Sequence, residues 1–187
     1  IKDLILKNRS YRRFDQSVPV PMELLREMVE AARLSGSARN MQPLRYMLFN
    51  DPVVCEKIFP ATAWAGYLKD WPGPAEGERP TAYIIQLGDL DLTDDWWCDD
   101  GNAAQSKMLT AVEQGFGGCI IGSVQRKKLL SLLHIPERYK IIQVIALGKP
   151  VEEVVIEKAV EGDIKYWRDE HGVHHVPKRS LDELIIG

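Results

Sequence analysis

Long amphipathic helices alternate along this chain with short apolar strands, and that alternation restricts it to a single α+β or α/β domain. The clearest helix runs from Pro21 to Ser35. There Leu24, Leu25, Met28, Val29 and Ala32 recur at spacings of three and four, and Pro21 sits where a first helical turn tolerates proline. A second spans Asp99 to Gln114, its acidic start suited to the positive helix end and Ala104, Met108, Ala111 and Val112 forming one stripe. Leu44 to Phe49, Tyr83 to Leu87, Cys119 to Gly122 and the strongly apolar Lys140 to Leu147 read as strands. Cys55 to Asp70 reads as helix interrupted at Pro60, Trp71 to Gly77 as loop, and Val124 to Leu133 as a helix capped by Ser123.

At 187 residues the chain suits one domain, 1–187, which buries enough surface to need no staples. A net charge of -3 argues against nucleic-acid binding as its main work, so any important basic groups act locally. Cys55, Cys98 and Cys119 are odd in number and form no CxxC pair, which fits a reducing cytoplasm and indicates neither disulfides nor zinc. No apolar run approaches the ~20 residues of a membrane span. The opening IKDLILKNRS is too charged for a secretory signal and reads as a short amphipathic helix. The tail beyond Val151 differs from the rest. A loosely alternating stretch, a polar hairpin at Trp167 to Pro177 and a Ser180/Glu183 capping box lack a core of their own, so a partner subunit is the natural surface for them.

The common short motifs are absent. Gly148-Lys149 is followed by proline, which excludes a Walker A loop, and Ile120 stands where Gly115-Phe116-Gly117 would need a third glycine for a dinucleotide fingerprint. No nucleophile elbow or HExxH exists. His171, His174 and His175 lack a matching set of metal ligands, so no metal is expected.

Three segments remain. Arg9-Ser10-Tyr11-Arg12-Arg13 offers forked donors that match phosphate oxygens, although a solvated basic patch would look the same. Ser37-Ala-Arg39-Asn40-Met-Gln42-Pro43 joins a helix to a strand, and the Asn40 and Gln42 amides each carry a donor and an acceptor suited to a heterocycle edge; a polar turn is the plainer alternative. Gly115 to Gly122 brackets an apolar tripeptide with glycines, which lets backbone approach a flat ligand or simply stops a helix before a core strand.

In this order and spacing, these segments resemble the nitroreductase family of flavoproteins. Gly148-Lys149-Pro150 after a buried strand and the late basic pair Lys178-Arg179 extend the likeness to nearly the whole chain. The resemblance implies a nitroreductase-like α+β flavin fold: a central, mainly antiparallel sheet flanked by helices, with a C-terminal arm (150–187) reaching to the partner of a homodimer. It implies FMN as cofactor and NAD(P)H as electron donor. Arg9, Lys178 and Arg179 would hold the phosphate, with Ser10 near the ribityl chain and Arg12 at the N1/O2 edge. Cys119 and Ile120 would lie against the ring, with the Gly122 amide near N5. Ser37, Arg39, Asn40 and Gln42 would come from the other subunit. A cation about 4 Å from charge developing on the ring is worth on the order of 4 kcal/mol at an effective dielectric of 20. The region around Trp64 and Trp71 corresponds to one that often covers the flavin in this family; aromatic packing at a subunit interface is the equal alternative.

Two departures stand out: Asn8 where many members have another arginine, and Gly36 in place of a common proline. The implied activity is ping-pong transfer from NAD(P)H to a small-molecule acceptor, nitroaromatic or quinone, with no acid or base residue evident for the protein itself to use. The alternatives are a specialised flavin enzyme of the same fold (dehalogenase-like, azoline-oxidising or flavin-fragmenting) or a flavin-sensing module without turnover.

Overall fold

The strand with the longest apolar run organises the molecule. In the computed structural model, which describes residues 1–187, β5 (Tyr139–Pro150) pairs antiparallel along one side with β3 (Ala82–Asp89), and β3 pairs antiparallel with β2 (Leu44–Phe49). The other side of β5 is shared end to end. β4 (Gly117–Ile121) takes Val144 to Gly148, and the two-residue β1 (Phe14–Asp15) takes Lys149 and Pro150.

Every residue of β3 is buried, because the sheet is covered on both faces. Tyr83, Ile85, Val144 and Ala146 point into one core with Phe14, Ile58 and Leu129, the last two from α3 (Pro52–Ile58) and α5 (Arg126–Leu132). Ile84, Ile145 and Leu147 alternate into the other, against Leu24, Leu25 and Met28 of α2 (Met22–Arg33) and Ala104, Met108 and Ala111 of α4 (Asp99–Glu113). The apolar stripes expected on these two helices are the buried ones, except that Val29 and Val112 sit half-exposed at their margins. No helix is long and apolar enough to cross a membrane.

Two local expectations are corrected. The helix expected over 55–70 stops at Ile58 and passes through a 3-10 turn, Phe59–Ala61, containing Pro60. The chain then runs on irregularly, because Ala63 N–H donates to the Ser123 carbonyl and Thr62 bridges Val124. Ser123 is thereby used through its backbone and caps nothing; α5 starts at Arg126 after Gln125, with no side-chain cap.

The C-terminal region builds a second small sheet. β6 (Val154–Lys158) lies parallel to β8 (His174–Lys178), which pairs antiparallel with β7 (Trp167–Arg168) in the expected hairpin. This sheet packs on its own chain: Tyr166 meets Tyr67 with ring centres 4.8 Å apart, and the Arg168 guanidinium lies 4.6 Å from the centre of the Trp71 ring. At the end, the expected capping box opens α6 (Leu181–Leu184), and Leu181, Leu184, Ile185 and Ile186 are all exposed.

Under α4 lies a residue that no periodicity pointed to. Lys107 is fully buried, its Nζ donating to Gln86 Oε1 at 2.6 Å and standing 4.0 Å from the centre of the Tyr46 ring. Burial pushes its pKa down to about 7. The unfolded chain has an ordinary lysine, so above pH 7 the unfolded state binds more protons and stability rises with pH until the free lysine itself titrates. Lys107→Met should therefore be more stable than wild type at pH 7, with the gap narrowing toward about pH 9 by as much as ~1.4 kcal/mol per pH unit. Urea unfolding at both pH values tests this; a gap that stays constant would show that Lys107 is not held neutral.

Candidate functional site

β4 would be a bare edge strand were it not for the arginine-rich segment that follows α1 (Lys2–Lys7). Tyr11 N–H donates to the Gly118 carbonyl at 2.9 Å, and Ser10 bridges Gly118 in parallel sense. The approach needs glycine: a Cβ on Gly117 would stand 2.6 Å from the Tyr11 ring, and one on Gly118 would stand 2.2 Å from the Ala146 carbonyl oxygen. Buried Glu152 fixes the segment from the far side, accepting from Arg12 N–H, from Arg13 N–H at 3.2 Å and from the Arg168 guanidinium at 3.1 Å. Arg13 is not available to a ligand, because its guanidinium is bidentate on Glu78 at 2.8 and 2.5 Å.

These contacts open a cleft of about 340 Å³ lined by Arg9, Ser10, Arg12, Ile120, Tyr166 and Lys178, among others. It continues past Arg12 and Ile120 into a 210 Å³ extension beside Trp64, Cys119 and Gly122. Three cations line it and no carboxylate does, although the chain as a whole is acidic. Ile120 alternates outward from β4 and is 41% exposed, presenting an apolar surface beside the cations. Of seven buried side-chain polar atoms without a hydrogen-bond partner, four belong to residues lining this cleft: Arg9 Nε, Arg12 Nε, Trp64 Nε1 and His174 Nδ1. Leaving such groups unpaired costs roughly 1–3 kcal/mol each, so their clustering marks a place built to receive acceptors.

Arg9, Ser10, Arg12, Ile120, Gly122 and Lys178 thus converge on one cleft. Cys119 and Arg179 are placed differently from these. Cys119 lines the extension of the cleft with only 6% of its surface exposed, packed in the core cluster, and burial raises its pKa; its neighbour Ile120 takes the exposed position on β4. Arg179 is absent from the lining and lies 3.8 Å from Glu183 in α6.

The second expected group forms its own place. Ser37 and Gln42 line a depression beneath the end of α2, Arg39 lines an adjoining one with Trp96 and Trp97, and neither shares a residue with the cationic cleft. Asp99 at the start of α4 secures the turn, accepting from Ser37 Oγ at 2.6 Å and from Ala38 N–H at 2.9 Å. Arg39, Asn40 and Gln42 all have positive φ (53°, 55° and 49°), a strained conformation for side-chain-bearing residues. Gln42 Nε2 donates to Asn40 Oδ1 at 3.1 Å, which leaves Asn40 Nδ2 and Gln42 Oε1 free for an outside group.

The likeness to known proteins follows this geometry. The nitroreductase family profile matches residues 5–149. The chain belongs to the nitroreductase family. An NADH dehydrogenase of Thermus thermophilus is 38% identical over 180 residues, with 81% of this chain and 87% of that protein covered. An FMN-dependent nitroreductase from Clostridium difficile superposes with a TM-score of 0.68 at 22% identity, covering 87% of this chain and 92% of that one. A chain from Exiguobacterium sibiricum, solved in complex with FMN, gives 0.67 at 19% identity, with 80% and 88% covered.

In this member of the family, Tyr166, His174 and Val176 line the cleft without having been expected there. With Lys178, the last two form a period-two row on the cleft side of β8, the one signal that marked them. The three histidines of the C-terminal region have three separate settings. His171 is exposed, His174 meets Arg12, and His175 lies between Glu157 (3.1 Å) and Asp169 (3.3 Å), stacked on Trp167.

If Asp99 holds the strained turn, Asp99→Ala should lower unfolding stability by roughly 2–3 kcal/mol, since two hydrogen bonds to a buried carboxylate are lost. Asp99→Asn, which keeps one acceptor, should lose less. Denaturant melts of the three proteins test this; equal midpoints would remove Asp99 as the anchor.

Proposed function

We propose that this protein is an FMN-dependent oxidoreductase that works as a homodimer, carrying electrons from NAD(P)H to small acceptors such as nitroaromatics and quinones in ping-pong fashion. The observation behind this reading is the carboxylate-free cleft in which Arg9, Arg12 and Lys178 surround an exposed apolar strand face and buried donors lack partners. Those residues fit the parts of FMN, which is anionic at one end and flat and apolar at the other, with acceptor atoms along its edge.

When bound, FMN supplies the hydride and electron chemistry. Arg9 and Lys178 would hold the phosphate, and Ser10 would serve the ribityl chain. Arg12 would put a fixed positive charge against the pyrimidine edge, where reduction builds negative charge. Ile120 would cover the ring, and the Gly122 N–H would orient it without adding a titrating group. Trp64 and Tyr166 would shape the entrance and exclude water. Donor and acceptor would use the same open face in turn, which is what a ping-pong cycle requires.

The homodimer accounts for the second group of residues. Ser37, Arg39, Asn40 and Gln42 lie apart from the cleft of their own chain, and a two-fold partner would bring them to it as the other wall. The exposed apolar ends, Ile5 and Leu6 in α1 and Leu181 to Ile186, supply surface for such an interface, with the C-terminal residues crossing to the partner. Free thiols at Cys55, Cys98 and Cys119 suit a reducing cytoplasm.

The purified protein should be a yellow dimer with the visible absorption of flavin, and stripped protein should recover that band with FMN. NAD(P)H should bleach it and menadione or nitrofurazone restore it. Arg12→Ala should keep the fold, bind FMN roughly tenfold or more weakly (about 1.4 kcal/mol) and lower the flavin's midpoint potential. A monomer that stays colourless with FMN would refute the proposal, and unchanged affinity and potential in Arg12→Ala would refute the role given to Arg12.

A further inference from the structure

The arginine at the centre of the cleft has no charged side-chain partner. Arg12 Nη1 donates to the Ser10 carbonyl at 3.1 Å and stands 3.1 Å from His174 Nε2, and its guanidinium carbon lies 4.9 Å from the centre of the Tyr166 ring. Its Nε is buried and unpartnered. Glu152 is engaged by the backbone N–H groups of Arg12 and Arg13 and by Arg168. A buried arginine ordinarily finds a carboxylate, which stabilises it and cancels its charge. Here an imidazole occupies that position.

The hydrogen bond fixes the state of the ring. A guanidinium has donors only, so Nε2 of His174 must accept, and the ring proton must sit on Nδ1. His174 is 1% exposed, and burial together with the nearby Arg12 and Arg168 charges pushes its pKa down to about 4. The imidazole therefore stays neutral. β8 places it in the same row as Val176 and Lys178, on the cleft wall, while Tyr166 packs on it with ring centres 5.2 Å apart.

We propose that His174 is a positioning residue that holds the Arg12 guanidinium in the cleft without neutralising it, keeping its full positive charge for an anionic ligand edge. A glutamate in its place would hold the arginine as firmly and remove the charge. The consequences for affinity and potential rest on the reading of the cleft as an FMN site; the state of the ring does not.

The first measurement is made on wild-type protein free of flavin, by long-range ¹H–¹⁵N NMR of the ring nitrogens. A neutral Nδ1–H ring between about pH 5.5 and 8 is expected; an Nε2–H tautomer or a protonated ring in that range overturns the proposal. The second compares His174→Gln and His174→Glu with wild type, reading the FMN dissociation constant from flavin fluorescence and the midpoint potential of the bound flavin. His174→Gln, a neutral acceptor, should stay within about threefold of wild type, whereas His174→Glu should weaken binding roughly tenfold or more and lower the potential. Equal losses in the two folded variants, or none in either, overturn the proposal. If His174→Glu does not fold, the ring state decides. If wild type takes up no FMN, the cofactor assignment falls by itself and the NMR result still decides the role of His174.

Discussion

The candidate site depends on a single buried carboxylate. Glu152 is far in sequence from the arginine-rich segment, yet it collects the backbone N–H groups of Arg12 and Arg13 on one side and the Arg168 guanidinium on the other. One side chain thereby fastens the segment laid along β4 to the small C-terminal sheet. A buried carboxylate is expensive unless its lone pairs are met, and here they are met by groups that must stay together for the cleft to exist. Because Glu152 is consumed by backbone and by Arg168, it stabilises the cleft without discharging it. Division of labour among the arginines follows the same rule: Arg13 and Arg168 are paired with carboxylates and hold structure, whereas Arg9, Arg12 and Lys178 line the cleft.

Much of the fold was legible because burial leaves periodic marks. The β2 strand and the two long helices fall where spacing put them, since both faces of the sheet must be covered and apolar residues record which face is which. The path after Ile58 was not legible. Trp64 and Tyr67 look compatible with a helix, but the Ala63 N–H donates to the Ser123 carbonyl and the Ala61 carbonyl accepts from Gln125 N–H, residues about sixty positions later, which no local pattern reports. Lys107 was invisible for a related reason, because a lysine on a helix is read as solvated unless its burial by the sheet is known.

The site was legible in part. Arg9, Ser10 and Arg12 could be named because guanidiniums near a hydroxyl carry their chemistry in their composition. Glu152 and His174 could not, because each is one of many ordinary polar residues until the chain brings Arg12 against it. Cys119 and Ile120 show the limit of a motif. The motif implied both against a ring alike, while the strand leaves Cys119 nearly covered beside the extension of the cleft and Ile120 exposed. Arg179 lies just past the end of β8, absent from the cleft lining and 3.8 Å from Glu183.

Helix α4 joins the two halves of the chemistry. Its first residue, Asp99, fixes the strained Ser37 turn, while Gln105 and Met108, two turns on, line the cationic cleft, and Lys107 faces the sheet between them. At 1.5 Å per residue those points are about 9–14 Å apart on one rigid element. In the proposed dimer the turn serves the partner's cofactor and the cleft serves the chain's own. Each α4 would then touch both sites, and the strain at Arg39, Asn40 and Gln42 would be borne by a helix already braced against the sheet. Such bracing holds a second wall at a fixed distance from the first, a requirement for gripping a rigid planar ligand between two chains that a flexible loop alone could not meet.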